Sequence, residues 1–186
     1  MKLSEYVQKD SVQTVMGVDL STQSIAFSIF TGDGLKHYGK IYLQGETIYD
    51  RCGFISSQVR HLVEIYSPEL IVIEAAVFVN NRQVVKKLSA LVGAVAGVGV
   101  RSLDVPPVTW QTHIGNPLLT NTEKAKIKKK AKSKTASATK KAFRQFRKSR
   151  TISIVNKLYD IDVDDDDVAD AIGVGHWARD QYIRTN

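Results

Sequence analysis

Apolar positions along this chain recur first with the two-residue rhythm of strands and then with the wider spacing of helices. "VQTVMGVDL" and "SIAFSIF" are β-rich runs joined by "STQ", and "TGDG" follows them as a hairpin turn. "LKHYGKIYLQ" alternates apolar with polar and predicts a third strand. Residues 47–66 set Ile48, Phe54, Ile55, Val59, Leu62, Val63 and Tyr66 at helical spacing, and Ser67-Pro68 stops that helix. "ELIVIEAA" is short and continuously apolar, the pattern of a central strand buried on both faces. "NRQVVKKLSALVGAVAG" predicts a helix, and "VGVRSLDV" a strand before Pro106-Pro107. A lysine-rich, low-complexity insert at 121–150 precedes two final helices, "RTISIVNKLYDI" and "DDVADAIGVGHWARDQYI". Three antiparallel strands followed by α/β alternation predict an α/β fold: a mixed five-stranded sheet covered by helices on both faces.

With 186 residues, 43% of them apolar, residues 1–186 are expected to form one domain with a sizeable core. Cys52 is the only cysteine, so no internal disulfide can form and a reducing interior suits the chain. No apolar run approaches the ~18 residues of a membrane span, and the N-terminal residues have no apolar signal core. The expectation is a soluble cytoplasmic protein, nucleoid-associated or in a host cytoplasm if phage-encoded, with no membrane partner.

Charge changes this picture. Residues 121–150 hold 13 of the 26 Lys and Arg and one acid, Glu123. The segment carries +12 of a net +7, leaving −5 for the rest of the chain. A localised basic strap points to a polyanion, nucleic acid first, while a disordered solubilising insert is the plainer reading. An anionic membrane fits less well, because "KAKIKKKAKSKTASATKK" lacks the Trp/Leu face of an interfacial helix. The strap residues Lys128, Lys129, Lys130, Lys132, Lys140, Lys141, Arg144 and Arg147 are the candidate DNA contacts. Asn81, Arg82 and Lys86, with Asn80 and Lys87, are candidates near Glu74 and read equally well as a solvated helix face.

The acids are placed as pointedly as the bases. Asp19 ends "TVMGVD" and Glu74 ends "LIVIE", each a lone carboxylate closing an apolar run. Such a charge is costly unless paired, liganded or near the sheet edge, and carboxyl ends of central strands are where ligands bind in α/β sheets. "DIDVDDDDVADAIG" adds seven aspartates within residues 160–170. A calcium loop would want Gly sixth and Glu twelfth, where this chain has Asp165 and Ala171. Asp164, Asp165 or Asp166 can cap a helix, but Asp170 lies beyond the first turn and shares a helical face with Asp167. Two carboxylates at the core edge invite a divalent cation.

"GVDLSTQSIAFSIF", "LIVIEAAVF" and "DVADAIGVGHWA" resemble the three acidic motifs of RuvC-type Holliday junction resolvases in the ribonuclease-H-like superfamily. "DVPPVTWQTHIGNP" and "TISIVNKLYDI" resemble the segments between, so the likeness spans residues 14 to 178. "VDLST" stands where many members have Pro-Gly after the first Asp, and the strap is longer and richer in lysine, departures that leave the subfamily open between a phage-type or organellar member and a bacterial housekeeping one. The resemblance implies a ribonuclease-H-like fold and a crossover junction endodeoxyribonuclease of recombination and repair. It implies Asp19, Glu74, Asp167 and Asp170 as catalytic metal ligands for two Mg²⁺ ions, with Mn²⁺ able to substitute and no small-molecule cofactor. By it Asp19 would bridge the ions, Glu74 hold one, and Asp167 with Asp170 the other. Branched DNA is the implied substrate, cut by a homodimer in paired symmetric nicks.

Other readings stay open beside it: a nuclease cutting RNA–DNA hybrids, or a non-catalytic nucleic-acid-binding module on the same fold. "GVDLSTQS" also resembles a phosphate motif of sugar kinases, but the chain is too short for their two lobes. "GAVAGVG", with Gly93, Gly97 and Gly99, has no following Lys-Ser/Thr and is read as close helix packing, within the chain or at a dimer interface. Trp110, Phe143 and Phe146 can stack on unpaired bases, with core packing the preferred reading. His176, six residues past Asp170, is turned away from that face. His113 could contact phosphate or a water, and Cys52 is a small buried side chain.

Overall fold

Strand β1 (Thr14–Leu20) lies at the centre of the sheet in the computed structural model, which describes residues 12–76, 81–130 and 135–183. It pairs antiparallel with β2 (Ser24–Thr31), which turns through Gly32 and Asp33 into β3 (Gly34–Tyr42). On its other side β1 pairs in parallel with β4 (Leu70–Glu74), and β4 with β5 (Ser102–Val105). Among the described residues these form one five-stranded sheet in the order β3-β2-β1-β4-β5. The mixed sheet read from the sequence is therefore present.

Helices α1 (Ile48–Tyr66) and α2 (Arg82–Ala96) cover one face, burying Ile55, Val59, Leu62, Leu91 and Val95 against Met16, Val18, Ile25, Ile71 and Ile73. A reciprocal Thr47–Asp50 box starts α1, and left-handed Ser67 ends it before Pro68. The other face carries α3 (Pro107–His113), α5 (Ala136–Tyr159) and α6 (Asp166–Tyr182) over Val15, Ala26, Phe30, Leu70 and Val72. Among the described residues no helix is long and apolar enough to cross a membrane.

Helix α6 lies unusually close to the sheet. A Cβ on Gly17 of β1 would come within 2.4 Å of the Gly175 backbone nitrogen, and one on Gly175 within 2.3 Å of Ser28 Oγ. Ser28 Oγ donates to Ala171 O at 2.7 Å through the same contact. Small residues on both sides thus let the helix backbone rest on β1 and β2. Close packing resides here rather than around Gly93, where a Cβ would meet nothing within 4 Å. Gly97 instead caps α2, and Gly99 takes φ +93°, a conformation glycine adopts freely.

The basic segment differs from the low-complexity insert expected of it. Residues 121–130 form α4 (Asn121–Lys130), and α5 begins at Ala136, well before the expected start near Arg150. Ala, Lys, Arg and Gln are strong helix formers, so lysine richness here is compatible with regular structure. Thr120 and Glu123 cap α4 reciprocally, and Arg150 Nη1 donates to Glu123 Oε1 at 2.9 Å, tying α4 to α5. Helix α4 buries none of its residues. Phe146 is also outside the core, 41% exposed with Arg150 over its ring, contrary to the preferred packing reading.

Candidate active site

The strand register builds the first half of the site. Val18 pairs with Ile73 across the parallel β1–β4 ladder, so one residue further on Asp19 stands level with Glu74. Strand alternation turns both toward the face that carries α6. The row continues outward, since Asp19 pairs with Ala26 and Ala26 with Lys40 of β3. The glycine contact that seats α6 then brings its first turns over the same row. Asp170 is 8% exposed and its Oδ1 has no hydrogen-bond partner.

Electrostatics places the four carboxylates in one neighbourhood. Burial, and then the charge of Asp167, push Asp19 up to about 6. Burial, Asp19 and Asp170 push Glu74 up to about 8. Asp170 rises to about 7 through burial and then Asp19, with Asp167 adding to it. Lowered water access penalises each charged form, and each neighbouring carboxylate penalises it again. Asp167 stands at the rim and is only partly buried.

Lysines hold the rim. Lys40 Nζ donates to Asp167 Oδ2 at 2.7 Å and to Asp165 Oδ2 at 2.8 Å. Lys148 of α5 pairs with Asp166 and lies 3.7 Å from Asp167 Oδ1. Asp165 is the helix cap, accepting from the backbone nitrogens of Asp167 and Val168 at 2.9 and 3.1 Å. Thus the "DDDD" run divides between a cap, lysine pairs and the pocket.

Trp110 is fully buried, as core packing requires, yet its Nε1 also donates to Glu74 Oε2 at 2.9 Å. That bond fixes the carboxylate's orientation and was not foreseen from sequence; neither were Lys40 and Lys148. The only prior signal was a Trp shortly after a Pro-Pro pair.

The candidate DNA contacts sort by position. Arg82, Lys86, Lys128, Lys129, Lys130, Lys140, Lys141 and Arg144 are exposed. Asn81 is exposed too, but its side chain caps α2 by accepting from Gln83 N and Val84 N. Arg147 departs from the rest: its guanidinium turns inward and donates to Gln111 of α3, and its Nε is buried without a partner. Lys132 and Asn80 lie outside the described residues. His113 and His176 are both drawn to Asp180 on α6, away from the acid pocket.

No protein-family model matches this chain, and no curated protein matches its sequence. Solved structures do. RuvC of Thermus thermophilus in complex with a Holliday junction substrate superposes with a TM-score of 0.64 at 15% identity, over 91% of this chain and 96% of that one. The fowlpox virus resolvase bound to Holliday junction DNA gives 0.52 at 14% identity, over 92% and 100%. The yeast mitochondrial Holliday junction resolvase gives 0.52 at 12% identity, over 90% and 80%. The chain therefore has the ribonuclease-H-like fold of the RuvC-type junction resolvases.

Proposed function

We propose that this chain is a divalent-metal-dependent endodeoxyribonuclease that resolves four-way or otherwise branched DNA by paired symmetric nicks. The observation that carries the proposal is the convergence of Asp19 and Glu74, level on adjacent parallel strands, with Asp170 from α6. A buried set of like charges does not explain itself as a fold-stabilising device, since mutual repulsion and desolvation both oppose it. A divalent cation relieves both.

The donor set fits hard cations such as Mg²⁺, with Mn²⁺ as a substitute: all donors are carboxylate oxygens, and buried Asp170 Oδ1 has no other partner. Asp19, Glu74, Asp170 and, from the rim, Asp167 are the residues to hold the metal. When bound, two such ions would activate a water and stabilise charge on the scissile phosphate and the leaving oxygen. The remaining tasks belong to the chain. Trp110 keeps the Glu74 carboxylate turned into the pocket through its 2.9 Å bond. Lys40 and Lys148 balance the rim aspartates, and the exposed lysines of α4 and α5 supply attraction for the DNA backbone. Two matched nicks in a two-fold symmetric junction require two active sites, which favours a homodimer.

Two neighbours of the same fold, the Thermus thermophilus and fowlpox virus resolvases, were solved with junction DNA, which supports a junction over a plain duplex as substrate. Incubation with Mg²⁺ and matched four-way junction, linear duplex and RNA–DNA hybrid tests the reading. Symmetric paired nicks confined to the junction are expected; cleavage confined to the hybrid would replace it with a hybrid-cutting nuclease. Binding without any cleavage would leave a nucleic-acid-binding module.

A further inference from the structure

A second cluster of metal-ligating side chains sits outside the acid pocket, where the end of α3 meets α6. His113 Nε2 lies 2.9 Å from Asp180 Oδ2, and His176 Nε2 lies 3.4 Å from that same oxygen. The three ligand atoms all fall within 4.8 Å of one another. His176 and Asp180 are four apart on α6 and share a helical face, while His113 arrives from the other helix.

Each of the two α6 ligands is held from behind, leaving the converging atoms free to serve a guest. The Tyr159 hydroxyl hydrogen-bonds His176 Nδ1, and Arg179 donates to Asp180 Oδ1 through Nε at 2.8 Å, with Nη2 2.6 Å away. Metal-bound histidines use such a partner on the far nitrogen to fix the ring and its tautomer.

We propose that His113 Nε2, His176 Nε2 and Asp180 Oδ2 form a binding site for a zinc-type divalent transition ion, separate from the acid pocket. Two imidazoles and one carboxylate are borderline donors that suit Zn²⁺ and its neighbours, whereas an all-carboxylate pocket suits Mg²⁺. Bonds of roughly 2.0–2.2 Å in a tetrahedron put ligand atoms about 3.4 Å apart. The His176–Asp180 pair already meets that spacing, and the His113–Asp180 pair must open by about half an ångström at the end of a short helix. Metal binding takes both imidazoles as neutral rings with Nε2 unprotonated and the single ring proton on Nδ1, which at His176 donates to the Tyr159 oxygen.

The site would pin α3 to α6. Trp110 lies one turn before His113 on α3, its ring packed over Gly173 of α6 and its Nε1 on Glu74. A metal at His113 would hold that turn, and hence the orientation of Glu74, without entering the acid pocket. The inference stands whether or not the chain cuts DNA.

Calorimetric titration of Zn²⁺ into the protein in excess Mg²⁺ tests it, with Co²⁺ as the visible-absorption probe. One equivalent should bind, and Co²⁺ should give the intense bands of a four-coordinate, nitrogen-ligated ion. His113→Gln and Asp180→Asn should each weaken binding about 100-fold or more, while Asp19→Asn/Asp170→Asn should leave it unchanged. Zinc held equally by His113→Gln, or lost only from Asp19→Asn/Asp170→Asn, would overturn the site. X-ray absorption of the wild-type protein with one equivalent of Zn²⁺ needs no variant: imidazole scattering is expected, and an oxygen-only shell would refute the proposal.

Discussion

The acid pocket and the basic helical pair α4–α5 are both dense in like charge, and the fold treats them in opposite ways. Asp19 and Glu74 stand on the central strands, and Asp170 is brought over them by a helix seated glycine against glycine. Helix α4 buries nothing, and Arg150 of α5 pairs with its Glu123. Repulsion among the acids is sustained by the packing around them; repulsion among the lysines is relieved by water. The first arrangement costs stability and fixes positions, which is what chemistry requires. The second costs little and fixes no partner geometry, which suits affinity without sequence choice.

That contrast can be broken at several points. Its largest effect is expected at Gly175→Ala, where a methyl group would meet Ser28 Oγ and the Phe30 ring within 2.6 Å. Overpacking there should cost about 3 kcal/mol and lower Tm by about 6–12 °C, measured by thermal melting. An equal melt would mean that α6 is not held by this contact. Next, Lys128→Ala/Lys129→Ala/Lys130→Ala should reduce the slope of log affinity against log salt by about 2.7, roughly 40-fold in affinity between 50 and 200 mM salt. Fluorescence anisotropy on a junction reads this, and an unchanged slope would remove α4 from the DNA surface.

Trp110→Phe keeps an aromatic ring in the core but removes the donor to Glu74. Cleavage should fall about tenfold at saturating DNA, the order expected for losing one bond to a charged group; unchanged cleavage would make Trp110 a packing residue alone. A further test concerns pH. Burial and the charge of Asp19 push Asp170 up to about 7, so it keeps its proton to higher pH in the folded state than in the unfolded chain. Its contribution to metal-free stability is present below about pH 4 and is lost as pH rises through 7. Asp170→Asn cannot ionise, so it should melt with wild type at pH 4 and above it at pH 8 without metal. Divalent ions should raise the wild type at pH 8 and the variant less.

Much of the pocket was legible because strand-end carboxylates are conspicuous in apolar runs, and register follows from alternation once strand order is known. Asp19 and Glu74 could be matched in that way. Lys40 could not, because its partner lies 125 residues later and only the seating of α6 brings them together. The cause of that seating, Gly17 opposite Gly175, is silent in sequence: a lone glycine in a strand or helix looks like an accident until its neighbour is known. In the strap, compositional bias concealed helices that propensity would have supported. Trp110 was legible as a core residue and not as a hydrogen-bond donor, since burial follows from side-chain type but a bonding partner follows from three-dimensional geometry.

The division of labour between the two regions is tested most directly by single-turnover cleavage of a four-way junction with protein in saturating excess. Asp19→Asn should bind the junction at least as well as wild type and leave it uncut. Lys128→Ala/Lys129→Ala/Lys130→Ala, once saturated, should cut at the wild-type rate. Cleavage by Asp19→Asn, or a saturated lysine variant that binds but cannot cut, would contradict the assignment of chemistry to the buried acids and affinity to the exposed helices.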